Sequence, residues 1–173
     1  MGEIVDLINN LIYRLSYVSD HMQAPLQKGM VNDYNFLTAY ENLLRDGLSD
    51  NGNVISLPGG PTTSTTGAPG SVWTFARSKS GTDVIHLINM LNLTSSDWMD
   101  TNANKVAPTI QPNVVTKYYY GTGTPTSVLL ASPDINGGAT QSLAFTTGSD
   151  AGGAYVQFTV PSLNYWDMVW VNK

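Results

Sequence analysis

The sequence predicts an antiparallel Greek-key β-sandwich of about eight strands preceded by two α-helices, a mainly β protein of 173 residues. Two features of the chain carry this expectation. Up to Asp46 the apolar residues recur at three- and four-residue steps, the period of a helix face, and from Leu48 onward they alternate at every second residue, the period of a strand. Gly, Pro, Asn and Ser, rather than helical segments, separate the alternating runs, which favours strands joined by turns over a parallel sheet with helical crossovers. With 42% hydrophobic and only 12% charged residues, the composition suits an extracellular β-rich protein.

From Glu3 to Ser16 the residues Ile4, Leu7, Ile8, Leu11, Ile12 and Leu15 share one helical face. A second helix is expected from Pro25, where a first-turn proline forfeits no hydrogen bond, to Arg45, with Gly47 as its left-handed stop. Its buried stripe would run through Leu26, Met30, Tyr34, Leu37, Tyr40 and Leu44. Two such helices bury too little surface between themselves to be stable, so they need a partner surface. Strands are expected at Asn53 to Leu57, Val72 to Lys79, Val84 to Leu91, Asn113 to Tyr120, Thr126 to Ser132, Gln141 to Thr146, Ala154 to Val160 and Tyr165 to Val171. The stretch Pro58 to Gly70 (PGGPTTSTTGAPG) reads as a flexible surface loop, and Ser80, Gly81 and Thr82 as a hairpin turn. Ala154, Val156, Phe158 and Val160 alternate on one buried face. The run Val84 to Leu91 is apolar on both faces, which calls for cover on both sides, one of them by the helical segment.

Composition removes several chemistries. Without cysteine there is no disulfide and no thiolate nucleophile or zinc ligand, and two histidines, His21 and His86, do not make a histidine-rich metal site. No metal or cofactor is expected. A net charge of -5 with eight Lys and Arg offers no basic row for phosphates, so nucleic acid is not an expected partner. No apolar run approaches the roughly 20 residues of a membrane helix, and the first twenty residues lack the basic and then apolar pattern of a signal peptide.

Catalytic candidates are sparse. Glycoside hydrolysis usually needs two carboxylates about 5 to 10 Å apart in a cleft, whereas Glu3 and Glu41 fall in the predicted helices. Asp97 and Asp100 flank Trp98 in the polar stretch SSDWMDTN and read as solvated or turn-capping residues. His86 alternates with Val84 and Ile88, has no ligand at metal spacing, and reads as a satisfied, partly buried histidine. Neither histidine accompanies a nucleophile elbow, so no catalytic residue is expected in this chain. Trp73 with Phe75, and Trp166 with Met168 and Trp170, share faces as sandwich cores do. Trp98, in a loop, and Tyr119, on the same face as Lys117, are the candidates for stacking on a sugar ring.

The stretches YNFLTAYENLLRDG (Tyr34 to Gly47), VWTFARSKSGTDVIHLINML (Val72 to Leu91), DWMDTN, VLLASPD and VQFTVPSLNYWDMVWV (Val156 to Val171) resemble glycoside hydrolase family 66. That family contains endo-dextranases and cycloisomaltooligosaccharide glucanotransferases, which act on α-1,6-glucan by a retaining mechanism in a (β/α)8 barrel followed by a β-sandwich C domain. The resemblance implies that residues 1–47 are the helical end of such a barrel and residues 48–173 its C-terminal sandwich. It also implies that the nucleophile and acid/base residues lie upstream, that the parent is secreted, and that the chain's partners are the barrel, in the same or a separate chain, and dextran.

Overall fold

The computed structural model describes residues 24–45, 47–52, 54–95 and 106–173. Helix α1 (Ala24–Ala39) is followed by a single turn, α2 (Glu41–Leu44), and then by strands β1 (Ser49–Asp50), β2 (Ile55–Ser56), β3 (Thr63–Ser64), β4 (Val72–Lys79), β5 (Thr82–Asn89), β6 (Gln111–Tyr119), β7 (Ser127–Ala131), β8 (Gln141–Ser142), β9 (Phe145–Asp150), β10 (Gly153–Leu163) and β11 (Trp166–Asn172). The strands form two sheets. One runs β1-β4-β5-β11-β7-β8 with β3 beside β4, and the other runs β2-β6-β10-β9. Every ladder is antiparallel except β3 with β4. The connections β5 to β6, β6 to β7, β8 to β9 and β10 to β11 cross between sheets, so the last strand enters between β5 and β7 and the fold is an interleaved sandwich.

Alternation places the core as the sequence requires. Val72 and Ala76, Ile85 and Leu87, and Val169 and Val171 meet Val114, Tyr118, Val156, Phe158 and Val160 of the opposite sheet in one cluster. Burying each of the Val, Ile, Leu and Phe side chains among them contributes about 1.5 to 3 kcal/mol. The cover expected over Val84 to Leu91 is present: Val84 packs with Phe36, Leu37, Leu43, Leu44, Met168 and Trp170 in a second cluster on the far side of the sheet.

Several expectations are corrected. The second helix is interrupted at Tyr40, whose backbone leaves helical geometry before α2 begins. The buried stripe differs as well: Leu37 and Leu44 are buried as expected and Tyr40 is half-buried, but Tyr34 is 54% exposed and Phe36 and Leu43 take the inward places. Leu26 and Met30, and the helix expected over Glu3 to Ser16, lie outside the described side chains and residues. Gly47, with φ of 64°, does end the helical segment.

The Pro58 to Gly70 stretch is a braced loop and not a free one. Thr63 and Ser64 pair with Val72 and Trp73, and the Ser64 hydroxyl accepts from the Thr66 and Ala68 amides. The expected strand Gln141 to Thr146 is two strands in different sheets, because the chain crosses the sandwich at Leu143, whose amide donates to the Val128 carbonyl. Finally, Trp73, Phe75, Trp166, Met168 and Trp170 do share faces, but the register puts them on the outer, helix-side face of the seven-stranded sheet and not between the sheets.

Candidate functional site

Aromatic side chains gather on the outer faces of both sheets, with opposite surroundings. On the seven-stranded sheet they form a continuous series of ring contacts. Trp73 lies 5.4 Å from Phe75, Phe75 stacks on His86 at 4.5 Å, and His86 stacks on Trp166 at 5.9 Å. Trp166 meets Phe36 of α1 edge-on at 5.1 Å, and Phe36 and Trp170 both approach Tyr40. His86 is 4% exposed, and its Nδ1 accepts from Trp166 Nε1 at 3.2 Å. Burial, aided by the nearby Arg77 guanidinium, pulls its pKa down to about 3, so the ring is neutral. This is the satisfied histidine that the alternation predicts, buried more deeply than expected.

On the outer face of the four-stranded sheet, Val115, Lys117 and Tyr119 of β6 point away from the core, as do Tyr155, Gln157 and Thr159 of β10. Register sets Tyr119 opposite Tyr155, and Tyr155 opposite Gly148 of β9. The rings meet edge to face at 5.9 Å. Both lie down against glycines: a Cβ on Gly148 would stand 2.6 Å from the Tyr155 hydroxyl, and one on Gly152 would stand 2.7 Å from the Tyr119 ring. The Lys117 ammonium sits over the Tyr155 ring, 4.0 Å from its centre, and donates to Asp150 Oδ2 at 2.9 Å. The same oxygen accepts from the Tyr119 hydroxyl at 3.0 Å, while Asp150 Oδ1 caps the Gly152 amide at 2.8 Å. Hydrogen bonding to Lys117 holds the Asp150 pKa below its ordinary value and raises that of Lys117.

Of the two predicted sugar-contact residues, Tyr119 therefore belongs to an ordered surface cluster. Trp98 lies outside the described residues, together with Asp97 and Asp100. The other members, Asp150 and Tyr155, were not singled out from the sequence. A signal for them existed, since glycine inside a strand marks close approach of another group.

Two carboxyls have pKa values raised above the ordinary range: Asp33 of α1, through partial burial and the nearby Asp134, and Asp167. Asp167 faces the sandwich interior from β11, is 0% exposed, and neither of its oxygens has a hydrogen-bond partner. Burial lifts its pKa to about 7, with Asp134 adding to the rise and Ser132 tempering it. The Ser132 hydroxyl is itself spent on the Trp166 carbonyl at 2.8 Å. Asp167 lines neither of the two principal open grooves among the described residues. The larger, about 510 Å³, is walled by Asn51, Ser78, Lys79, Thr122, Lys173 and a single carboxylate, Asp83. That carboxylate is already bound by Lys173 Nζ at 2.9 Å, by the Tyr118 hydroxyl at 2.8 Å and by Ser78.

The arrangement is that of a helix-clad β-sandwich whose two principal grooves, among the described residues, hold one acidic side chain between them, Asp83. The chain belongs to glycosyl hydrolase family 66, whose model matches residues 1–170. A cycloisomaltooligosaccharide glucanotransferase of Niallia circulans is 43% identical over 159 residues, covering 90% of this chain and 16% of that protein. A dextranase of Streptococcus salivarius is 25% identical over 188 residues, covering 98% of this chain and 22% of the relative. A Paenibacillus sp. cycloisomaltooligosaccharide glucanotransferase, solved in complex with cycloisomaltoheptaose, superposes with a TM-score of 0.79 at 38% identity, covering 86% of this chain and 21% of that one. The chain thus spans about a fifth or less of the length of these relatives.

Proposed function

We propose that this chain is the non-catalytic C-terminal region of a secreted dextran-processing glycoside hydrolase, with residues 1–47 ending a (β/α)8 barrel and residues 48–173 forming the sandwich that caps and stabilises it. The observation that carries this reading is the aromatic outer face of the seven-stranded sheet, a surface built to be covered. Helices α1 and α2 fill one part of it, while Trp73 and Phe75 at its far end stay half-buried and Val31 and Tyr34 stand 55% and 54% exposed on α1. Apolar positions of this kind suit an interface with a larger partner. Retaining chemistry on α-1,6-glucan would then belong to the barrel.

The test is complementation of a family relative from which the matching segment has been deleted. Adding the purified chain should raise the thermal midpoint of the truncated relative and restore its action on dextran, and Phe36→Ala should weaken both effects. Absence of association would refute the capping role. Dextran hydrolysis by the chain alone, lost on changing Asp97 and Asp100 to Asn, would replace it with an enzyme.

A second reading, an α-glucan-binding module, is favoured by a separate observation: the tyrosine-bearing face of the four-stranded sheet has nothing packed on it among the described residues.

A further inference from the structure

We propose that the Lys117–Asp150 pair is the docking point for neighbouring hydroxyls of a neutral α-glucan, with the Tyr119 and Tyr155 rings as its apolar surround; this rests on the glucan-binding reading above. The cluster is costlier to assemble than a solubilising surface requires. Exposed ion pairs contribute about 0 to 1 kcal/mol and must order a long lysine stem to do so. Yet Lys117 is drawn across β10 to reach β9, and two glycines keep the tyrosines flat beneath it. The arrangement favours function over stability.

The remaining hydrogen-bonding capacity defines the ligand. Of its three N–H groups Lys117 spends one on Asp150 and turns another toward the Tyr119 oxygen while facing the Tyr155 ring, which leaves it one further donor. Asp150 has three of about four acceptor positions filled, by Lys117, Tyr119 and the Gly152 amide. A donor and an acceptor 2.9 Å apart match two adjacent hydroxyls, one accepting from the ammonium and the other donating to the carboxylate. The opposed charges cancel, so an anion would be repelled by Asp150 and a cation by Lys117. A neutral polyol meets neither penalty. Because the ammonium already occupies one side of Tyr155, the rings give edge and C–H contact and not a bare stacking platform. An α-1,6-glucan suits the site because its linkage leaves adjacent secondary hydroxyls free on every residue, so many weak contacts add along one polymer.

The measurement is retardation of the chain in native gels containing dextran, with titration calorimetry against an isomaltooligosaccharide. Lys117→Met keeps the stem over Tyr155 and removes the donor, and Asp150→Asn keeps the cap on Gly152 and removes the charge. Each should weaken binding roughly tenfold or more, as loss of a hydrogen bond to a charged group implies, with unchanged thermal midpoints confirming the fold. Binding that persists unchanged in both variants, or that is lost only in Trp98→Ala, overturns this location while sparing the glucan-binding reading. Failure of the unaltered chain to bind either ligand overturns both.

Discussion

The outer faces of the two sheets are built from similar residues and serve opposite environments. On the seven-stranded sheet the aromatics interlock, tilted and stacked, from Trp73 through His86 to Trp166, where Phe36 of α1 meets them edge-on, and the His86 ring is held neutral. Across the sandwich, Tyr119 and Tyr155 lie against glycines, the Tyr119 hydroxyl bound to Asp150 and the Tyr155 ring lying under the Lys117 ammonium of the same ion pair. An aromatic side chain on a strand is therefore no guide to function by itself. What covers it and where its polar atom is satisfied distinguish a packing surface from a contact surface.

The largest test of this contrast is truncation on each side. Phe36→Ala, in the helix-sheet cluster, should cost about 3 to 5 kcal/mol of unfolding free energy, whereas Tyr155→Ala on the open face should cost about 1 kcal/mol, both by urea denaturation. Equal losses would mean that the open face is also structural.

A second test uses two buried titratable groups on opposite faces of the seven-stranded sheet. Asp167 has its pKa raised from 3.8 to about 7, so its stabilising contribution is complete below pH 3.8 and is lost as pH rises toward 7. His86 has its pKa lowered from 6.5 to about 3, so its contribution is complete above pH 6.5 and is lost as pH falls toward 3. Between about pH 4 and 6.5 the two slopes oppose each other at roughly 1.4 kcal/mol per pH unit, and the native chain should show a nearly flat profile. Asp167→Asn should leave stability rising with pH by about 3 kcal/mol over that window, and His86→Gln should leave it falling by a similar amount. Flat profiles in both variants would refute the assignment of these two groups.

The smallest effect is expected from Gly148→Ala. The new methyl must displace the Tyr155 phenol, costing about 1 kcal/mol, and should shift the Tyr155 ring resonances in NMR without moving those of Trp166.

Much of the fold is legible in the sequence, because burial on a strand has a period of two. The alternation of Val156, Phe158 and Val160, the two-sided run from Val84, and the left-handed Gly47 all follow from local rules. Tyr34 is exposed because α1 meets the sheet through Phe36 and Leu37, and which side of a broadly apolar helix faces the sheet is set by packing; the break at Tyr40 is likewise unannounced, since no proline stands there. Gln141 to Thr146 reads as one strand because crossing from sheet to sheet needs no turn residue, only a change of hydrogen-bond partner at Leu143.

The candidate site divides in the same way. Tyr119 could be picked out because its neighbour in pattern, Lys117, marks a solvent-facing side. Its association with Tyr155, Gly148 and Asp150, some thirty residues away, is a matter of register between β6, β10 and β9, and periodicity within one strand carries no information about register between strands. Sequence alone determined the class of fold, the family resemblance and the lack of any cysteine chemistry, since each depends on residue type and local spacing. Only the tertiary structure decided which aromatic face is covered and which is open, and that an aspartate would be left without a hydrogen-bond partner in the core. Those outcomes depend on which distant segments pack together.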